Sequence, residues 1–178
     1  MCGVELGGIT TAKKWSDFEP MFNRARKAGL PIALHCGETK KNNDDPREMI
    51  SFGPERLGHC VYLNDDNMQR LENSNIPVET CFTCHDKIFG VPYSDNIFGK
   101  LHPRRQVVLA TDNPSFYGTT LSKEFEICAK YHKLTVGDLF DLARRSIDVA
   151  FIPSAEREKL YNQFDEQIGL LKKKYNMV

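Results

Sequence analysis

Two short stretches of this 178-residue chain bring together side chains that can bind a divalent cation and move protons. One is His35-Cys36-Gly37-Glu38 and the other is Thr111-Asp112-Asn113-Pro114. An imidazole and a carboxylate offered to one cation, with a second carboxylate beside the imidazole, is a plan for metal-assisted hydrolysis. The cation generates hydroxide near neutral pH, and the adjacent acid hands a proton to the substrate. A third candidate is His59, which closes the run Arg56-Leu57-Gly58-His59, where Gly58 permits close approach. Each residue also has an ordinary reading. His35 and Glu38 fit a surface turn, and His59 fits either a ligand or base or a hydrogen-bonded core histidine. Asp112 fits an N-cap for a helix whose first turn holds Pro114. Their common spacing favours one shared site.

That spacing comes from the elements beneath. Residues 30–35, 56–59, 76–82 and 106–111 read as strands, continuously apolar as buried parallel strands are, and residues 3–7 as a shorter one. His35, His59, Thr83 and Asp112 stand at strand ends 24, 24 and 29 residues apart, a βα beat. Helices alternate with these strands. Ser16 and Glu19 form a capping box for the first, which carries Phe18, Phe22 and Ala25 on one face and stops at Gly29. A polar loop over residues 39–45 leads to a short helix after Pro46. Another helix spans residues 64–73, amphipathic through Met68 and Leu71. Residues 90–103 are irregular around a short helix. The last third is helical over residues 122–133, 136–151 (capped by Thr135) and 155–175 (capped by Ser154). The alternation predicts an α/β fold in one domain over residues 1–178. Five strands fall short of the eight, and the roughly 250 residues, of a closed barrel.

Composition narrows the partners. The formal net charge is zero, which points away from nucleic acid and anionic membrane surfaces. Lys172-Lys173-Lys174 reads as a solvated helix face. No run approaches the roughly 18 apolar residues of a membrane span. The amino end lacks the features of a secretory signal, and the carboxyl end, Asn176-Met177-Val178, is no lipidation box. Six cysteines without framework spacing predict free thiols and a cytoplasmic location. Cys81-Phe82-Thr83-Cys84-His85 matches a haem-attachment pattern. Haem attachment would need export, and a redox pair would need a helix that does not clearly start at Cys81. A structural zinc site from Cys81, Cys84 and His85 or His59 is a further reading of that segment.

Taken in order, Glu5-Leu6-Gly7-Gly8, Lys27-Ala28-Gly29, Ala33-Leu34-His35-Cys36-Gly37-Glu38, Arg56-Leu57-Gly58-His59 and Thr111-Asp112-Asn113-Pro114 resemble the adenosine deaminase superfamily, most closely its adenosine deaminase-like branch. The resemblance runs through essentially the whole chain. It implies the C-terminal portion, about five strands, of a metal-dependent (β/α)8 TIM barrel followed by C-terminal helices. It implies hydrolysis of the 6-amino or 6-alkylamino group of a purine nucleoside or nucleotide (adenosine, AMP or N(6)-methyl-AMP) to a 6-oxo group. By the same resemblance His35 and Asp112 correspond to Zn2+ ligands and Glu38 to the acid that protonates purine N1. His59 corresponds to the group that orients the attacking hydroxide. Gly8 corresponds to a backbone donor to the base, and Asn113 to the residue that meets N7.

The chain departs from the family in three places. It contains no His-x-His, the family's first metal-binding pair, so two Zn2+ ligands are absent. Asn113 stands where the family has an Asp, and Cys60 where it has a Gly after the strand-end His. The expectation is a fragment that begins about halfway through the barrel, with weak zinc affinity and little turnover alone. An open half-barrel also exposes sheet edges that could self-associate, so a non-catalytic binding or dimerisation fragment is the alternative. Lys40, Lys41 and Arg47 could approach a phosphate, but a solvated loop is the simpler expectation for them.

Overall fold

A computed structural model describes residues 2–8, 13–40, 45–104 and 106–176. Five parallel strands form one sheet in the order β1-β2-β3-β4-β5: Val4–Leu6, Ile32–Cys36, Arg56–His59, Val78–Thr80 and Val107–Leu109. The helices between and after them are α1 (Trp15–Lys27), α2 (Pro46–Phe52), α3 (Asp65–Ser74), α4 (Phe82–Phe89), α5 (Phe98–Leu101), α6 (Pro114–Tyr117), α7 (Leu121–His132), α8 (Val136–Asp148) and α9 (Ser154–Lys174).

Strand alternation explains why the sheet can be buried and still carry chemistry. In β2, Ile32, Leu34 and Cys36 are fully buried in the apolar core, together with Leu57 of β3, Val78 of β4 and Val107 of β5. Trp15 and Phe22 of α1, Met49 and Ile50 of α2, Leu71 of α3 and Leu142 of α8 belong to the same core. Ala33 and His35 point the other way. Register places His35 beside Gly58, Gly58 beside Glu79 and Glu79 beside Val108. The second face of the sheet therefore bears Glu5, His35, Arg56 and Glu79. Arg56 Nε lies 2.7 Å from Glu79 Oε1, an ion pair without good hydrogen-bond alignment.

The helix ends depart from the sequence reading in instructive ways. The expected Ser16–Glu19 box is displaced: α1 starts at Trp15, and Asp17 accepts from the Lys14 amide at 3.2 Å. Trp15 is buried against Phe22 and Phe52, so apolar packing pulled the start two residues earlier. Ser154 is likewise the first residue of α9 rather than its cap. Thr135 and Asn64 do cap, accepting from the amides of Asp138 and Asn67. The largest correction concerns residues 76–82. Only Val78–Thr80 is strand, and α4 begins at Phe82 with Cys81 as its N-cap. Phe82, Thr83, Cys84 and His85 are all buried, so the start of this helix reads as a continuation of the strand.

Candidate functional site

The polar residues gather at the carboxyl ends of the strands, where the chain turns sharply. His59, Cys60 and Asp112 hold left-handed backbone, with φ of 63°, 51° and 54°. That conformation costs a side-chain-bearing residue about 1–3 kcal/mol and tends to cluster at functional sites. At His59 it breaks strand alternation. By parity the ring would follow Leu57 into the core, yet it lies edge-on to the His35 ring with centroids 4.5 Å apart.

A line of hydrogen bonds crosses this rim. Glu5 Oε1 lies 2.8 Å from His35 Nε2, and His35 Nδ1 lies 3.2 Å from His59 Nε2. His59 Nδ1 lies 3.3 Å from His85 Nε2, and His85 Nδ1 lies 3.0 Å from the Asn96 side-chain nitrogen. Glu38 Oε1 stands 3.5 Å from His59 Nε2 and 4.0 Å from His35 Nδ1. Burial, reinforced by the His35 ring, lowers His59 to about 4. Burial, reinforced by His59, lowers His85 to about 3. Both rings are neutral at physiological pH.

Glu5, His35, Gly58, His59, Glu79, Cys81, Ala110 and Asp112 border one cavity of about 230 Å³. His35, His59 and Asp112 therefore converge, as their spacing suggested, and Glu38 touches the same rings. Gly58 matters for a steric reason: a Cβ there would stand 2.7 Å from His35 Cδ2. Asn113 donates its side-chain amide to Asp112 Oδ1 at 2.7 Å and occupies the N-cap position of α6, which answers the capping alternative for Asp112. Gly8 is exposed with a φ of 109° and open space around its Cβ position. The Lys40 ammonium lies 5.7 Å from the Tyr62 ring centre, and Arg47 is exposed. Lys41, much of the 39–45 loop, and the Met177-Val178 end lie outside the described residues.

Two groups of three donors could grip a cation among the described residues: His35, Glu38 and His59, and His59, Cys84 and Asp112. Neither contains both His35 and Asp112. Catalytic zinc takes about three protein ligands. The pair expected to hold it therefore does not make a complete centre from described residues. Cys81, Cys84 and His85 form no such group either. Nor are the thiols reactive: burial pushes Cys84 up to about 12 and Cys81 higher still, the opposite of a redox pair, although a helix does start beside Cys81.

Sequence reasoning did not place Glu5, Glu79, His85 or Asn96 at this rim; it offered His85 only to a structural zinc site with Cys81 and Cys84. Strand alternation carried a signal for the two glutamates, which fall on the same face as His35. His85 and Asn96 depended on recognising α4 and the turn before α5.

A family profile described as adenosine deaminase matches residues 2–167. The N6-mAMP deaminase of Arabidopsis thaliana is 30% identical over 168 residues, covering 92% of this chain and 46% of that protein. The adenosine deaminase-like protein of Drosophila melanogaster is 32% identical over 169 residues, covering 94% and 49%. Among solved structures, the apo N6-methyl-AMP deaminase of Arabidopsis thaliana superposes with a TM-score of 0.89 at 30% identity, covering 93% of this chain and 49% of that one. An Arabidopsis structure described as complexed with IMP gives 0.89 at 29% identity, with the same coverage. The chain spans about half the length of the relatives it matches.

Proposed function

Because the chain belongs to the adenosine deaminase family, whose members are metal-dependent hydrolases of C–N bonds on TIM-barrel folds, we propose that it carries one half of a deaminase site for 6-amino or 6-alkylamino purine nucleotides. One observation carries the reading: His35, Glu38, His59 and Asp112 meet at the carboxyl rim of a parallel sheet, where barrel chemistry resides. Relatives named for N6-methyl-AMP, and one described as binding IMP, support a purine monophosphate as the substrate.

This chain's residues take the following parts. Glu38 protonates purine N1, which makes C6 electrophilic enough for water to add. His59 orients the attacking oxygen and stabilises the charge that develops on it. Gly8 offers its backbone amide to the base, and Asn113 meets N7. The departing amine takes one proton of the added water and the other returns to Glu38, leaving the 6-oxo purine. His35 and Asp112 are the donors this chain contributes to a zinc centre whose remaining ligands must come from a segment bearing His-x-His.

The test mixes the full chain with a polypeptide supplying that segment and follows conversion of N6-methyl-AMP, AMP and adenosine. Turnover should appear only in the mixture. Rapid hydrolysis with stoichiometric zinc by the chain alone would overturn the half-site reading. A folded mixture that converts none of the three would overturn the deaminase reading. A second reading, a non-catalytic self-associating module, draws on the unpaired outer edges of β1 and β5 among the described residues. Size that grows with concentration, without turnover in the mixture, would favour it.

A further inference from the structure

Two rim histidines and the Asn96 amide fix one another's protons. Asn96 anchors the row: its side-chain oxygen lies 3.0 Å from the Phe98 backbone N–H and accepts the Thr80 hydroxyl at 2.8 Å. A backbone N–H can only donate, so that atom is the oxygen and the amide orientation is settled. The Asn96 NH₂ must then donate to His85 Nδ1. A neutral ring that accepts at Nδ1 carries its proton on Nε2, so His85 donates to His59 Nδ1. By the same step His59 carries its proton on Nε2, the nitrogen 3.2 Å from His35 Nδ1 and 3.5 Å from Glu38 Oε1.

We propose that Asn96 and His85 are positioning residues that lock His59 as an N–H donor toward the cavity, through a one-way hydrogen-bond line Asn96→His85→His59. The line is fixed at its start by a buried amide held by backbone. A ring inverted anywhere along it would set two donors or two acceptors face to face. For the deaminase reading, on which only its catalytic meaning rests, the consequence is a role. His59 stabilises negative charge on an attacking oxygen by donating from Nε2, and it does not use Nε2 as the proton acceptor. Asn96 and His85 act through it without reaching the cavity.

The test reads protons directly and needs no turnover, so it stands apart from the deaminase assay. The full chain is labelled with 15N-histidine, stripped of metal with chelator, and its ring nitrogens are correlated with ring protons at mildly alkaline pH. Protonated Nε2 and bare Nδ1 are expected in His59 and His85. A protonated Nδ1 in His59 or His85 of the wild-type chain overturns the proposal, and that measurement needs no variant to fold. Asn96→Asp keeps an acceptor for Phe98 and Thr80 but presents an oxygen to His85, so His85 Nδ1 should gain a proton. A folded Asn96→Asp chain with His85 unchanged overturns the proposal. His85→Leu removes the donor to His59, whose spectrum should change to a mixture of both tautomers. Retention of the pure Nε2–H form there would show that His85 does not set it.

Discussion

The two ends of the sheet are built on opposite plans. At the carboxyl rim a cavity of about 230 Å³ is lined by two histidines, two glutamates and an aspartate, with left-handed backbone at His59, Cys60 and Asp112. At the amino end a wider cleft of about 790 Å³ is bordered by Pro31, Pro77, Val149, Phe151 and Ile152, with Glu55, Asp148 and Arg157 at its margin. There Val4 donates to Pro31, and Glu55 accepts from the Ile32 amide at 2.7 Å. What marks the carboxyl rim is the concentration of polar groups that must satisfy one another, with the strain needed to aim them.

The sharpest way to break this contrast is to remove the core that both ends share. Leu57 is fully buried in β3, two residues before His59. Leu57→Ala should lower unfolding free energy by about 2–5 kcal/mol, read from the denaturant midpoint. A loss below 1 kcal/mol would mean the sheet core is not the common support. Next comes the strut between the ends. Arg56 pairs with Glu79 at the cavity, donates to the Val149 carbonyl at 2.7 Å, and lies 3.7 Å from the Phe151 ring centre. Arg56→Met should cost about 1.5–3 kcal/mol. It should also raise further the Glu79 carboxyl, which burial already holds above its usual range against the pull of Arg56.

Acid separates the ends by chemistry. Unfolded, His59 and His85 take up protons near 6.5, whereas folded they resist down to about 4 and about 3. The unfolded state therefore binds more protons throughout that window, so stability is complete above pH 6.5 and falls as pH drops through it. His85→Leu should flatten that fall in the metal-free chain. An unchanged pH profile would place the acid sensitivity elsewhere. The smallest expected effect is a control for strain away from the rim. Lys133 closes α7 with a φ of 55° and is exposed. Lys133→Gly should stabilise by about 1 kcal/mol in thermal or denaturant unfolding. No gain would mean that left-handed backbone is tolerated here at no cost, which weakens strain as a mark of the rim.

The sheet and the rim were largely legible because parallel βα repeats write a regular period into the chain. Arg56–His59 was readable residue for residue, since an apolar pair bracketed by Arg56 and His59 leaves little freedom. The short helix Phe82–Phe89 was not readable. Its first four residues are all buried and continue the apolar run of the strand before them, so the change from strand to helix at Phe82 left no mark in the sequence. Losing that helix hid His85, and with it Asn96, because neither can be placed beside His59 until the chain is known to turn there. Glu5 and Glu79 lay on strands read as simply apolar, and attention to the second face would have exposed them. The expected zinc pair, His35 and Asp112, shares a cavity but not a three-donor set, and that shortfall was already visible in the missing His-x-His.

One omitted carbon atom governs the dimensions of the whole cleft. At position 58 the middle strand contributes only hydrogen, and the imidazole from the strand beside it reclines into the space so vacated. A methyl group there would tip that ring off its bed and uncouple it from its neighbours on both sides. How far the His35 ring settles into the opening is thus decided in the floor of the sheet, while the residues beyond the strand ends aim His59.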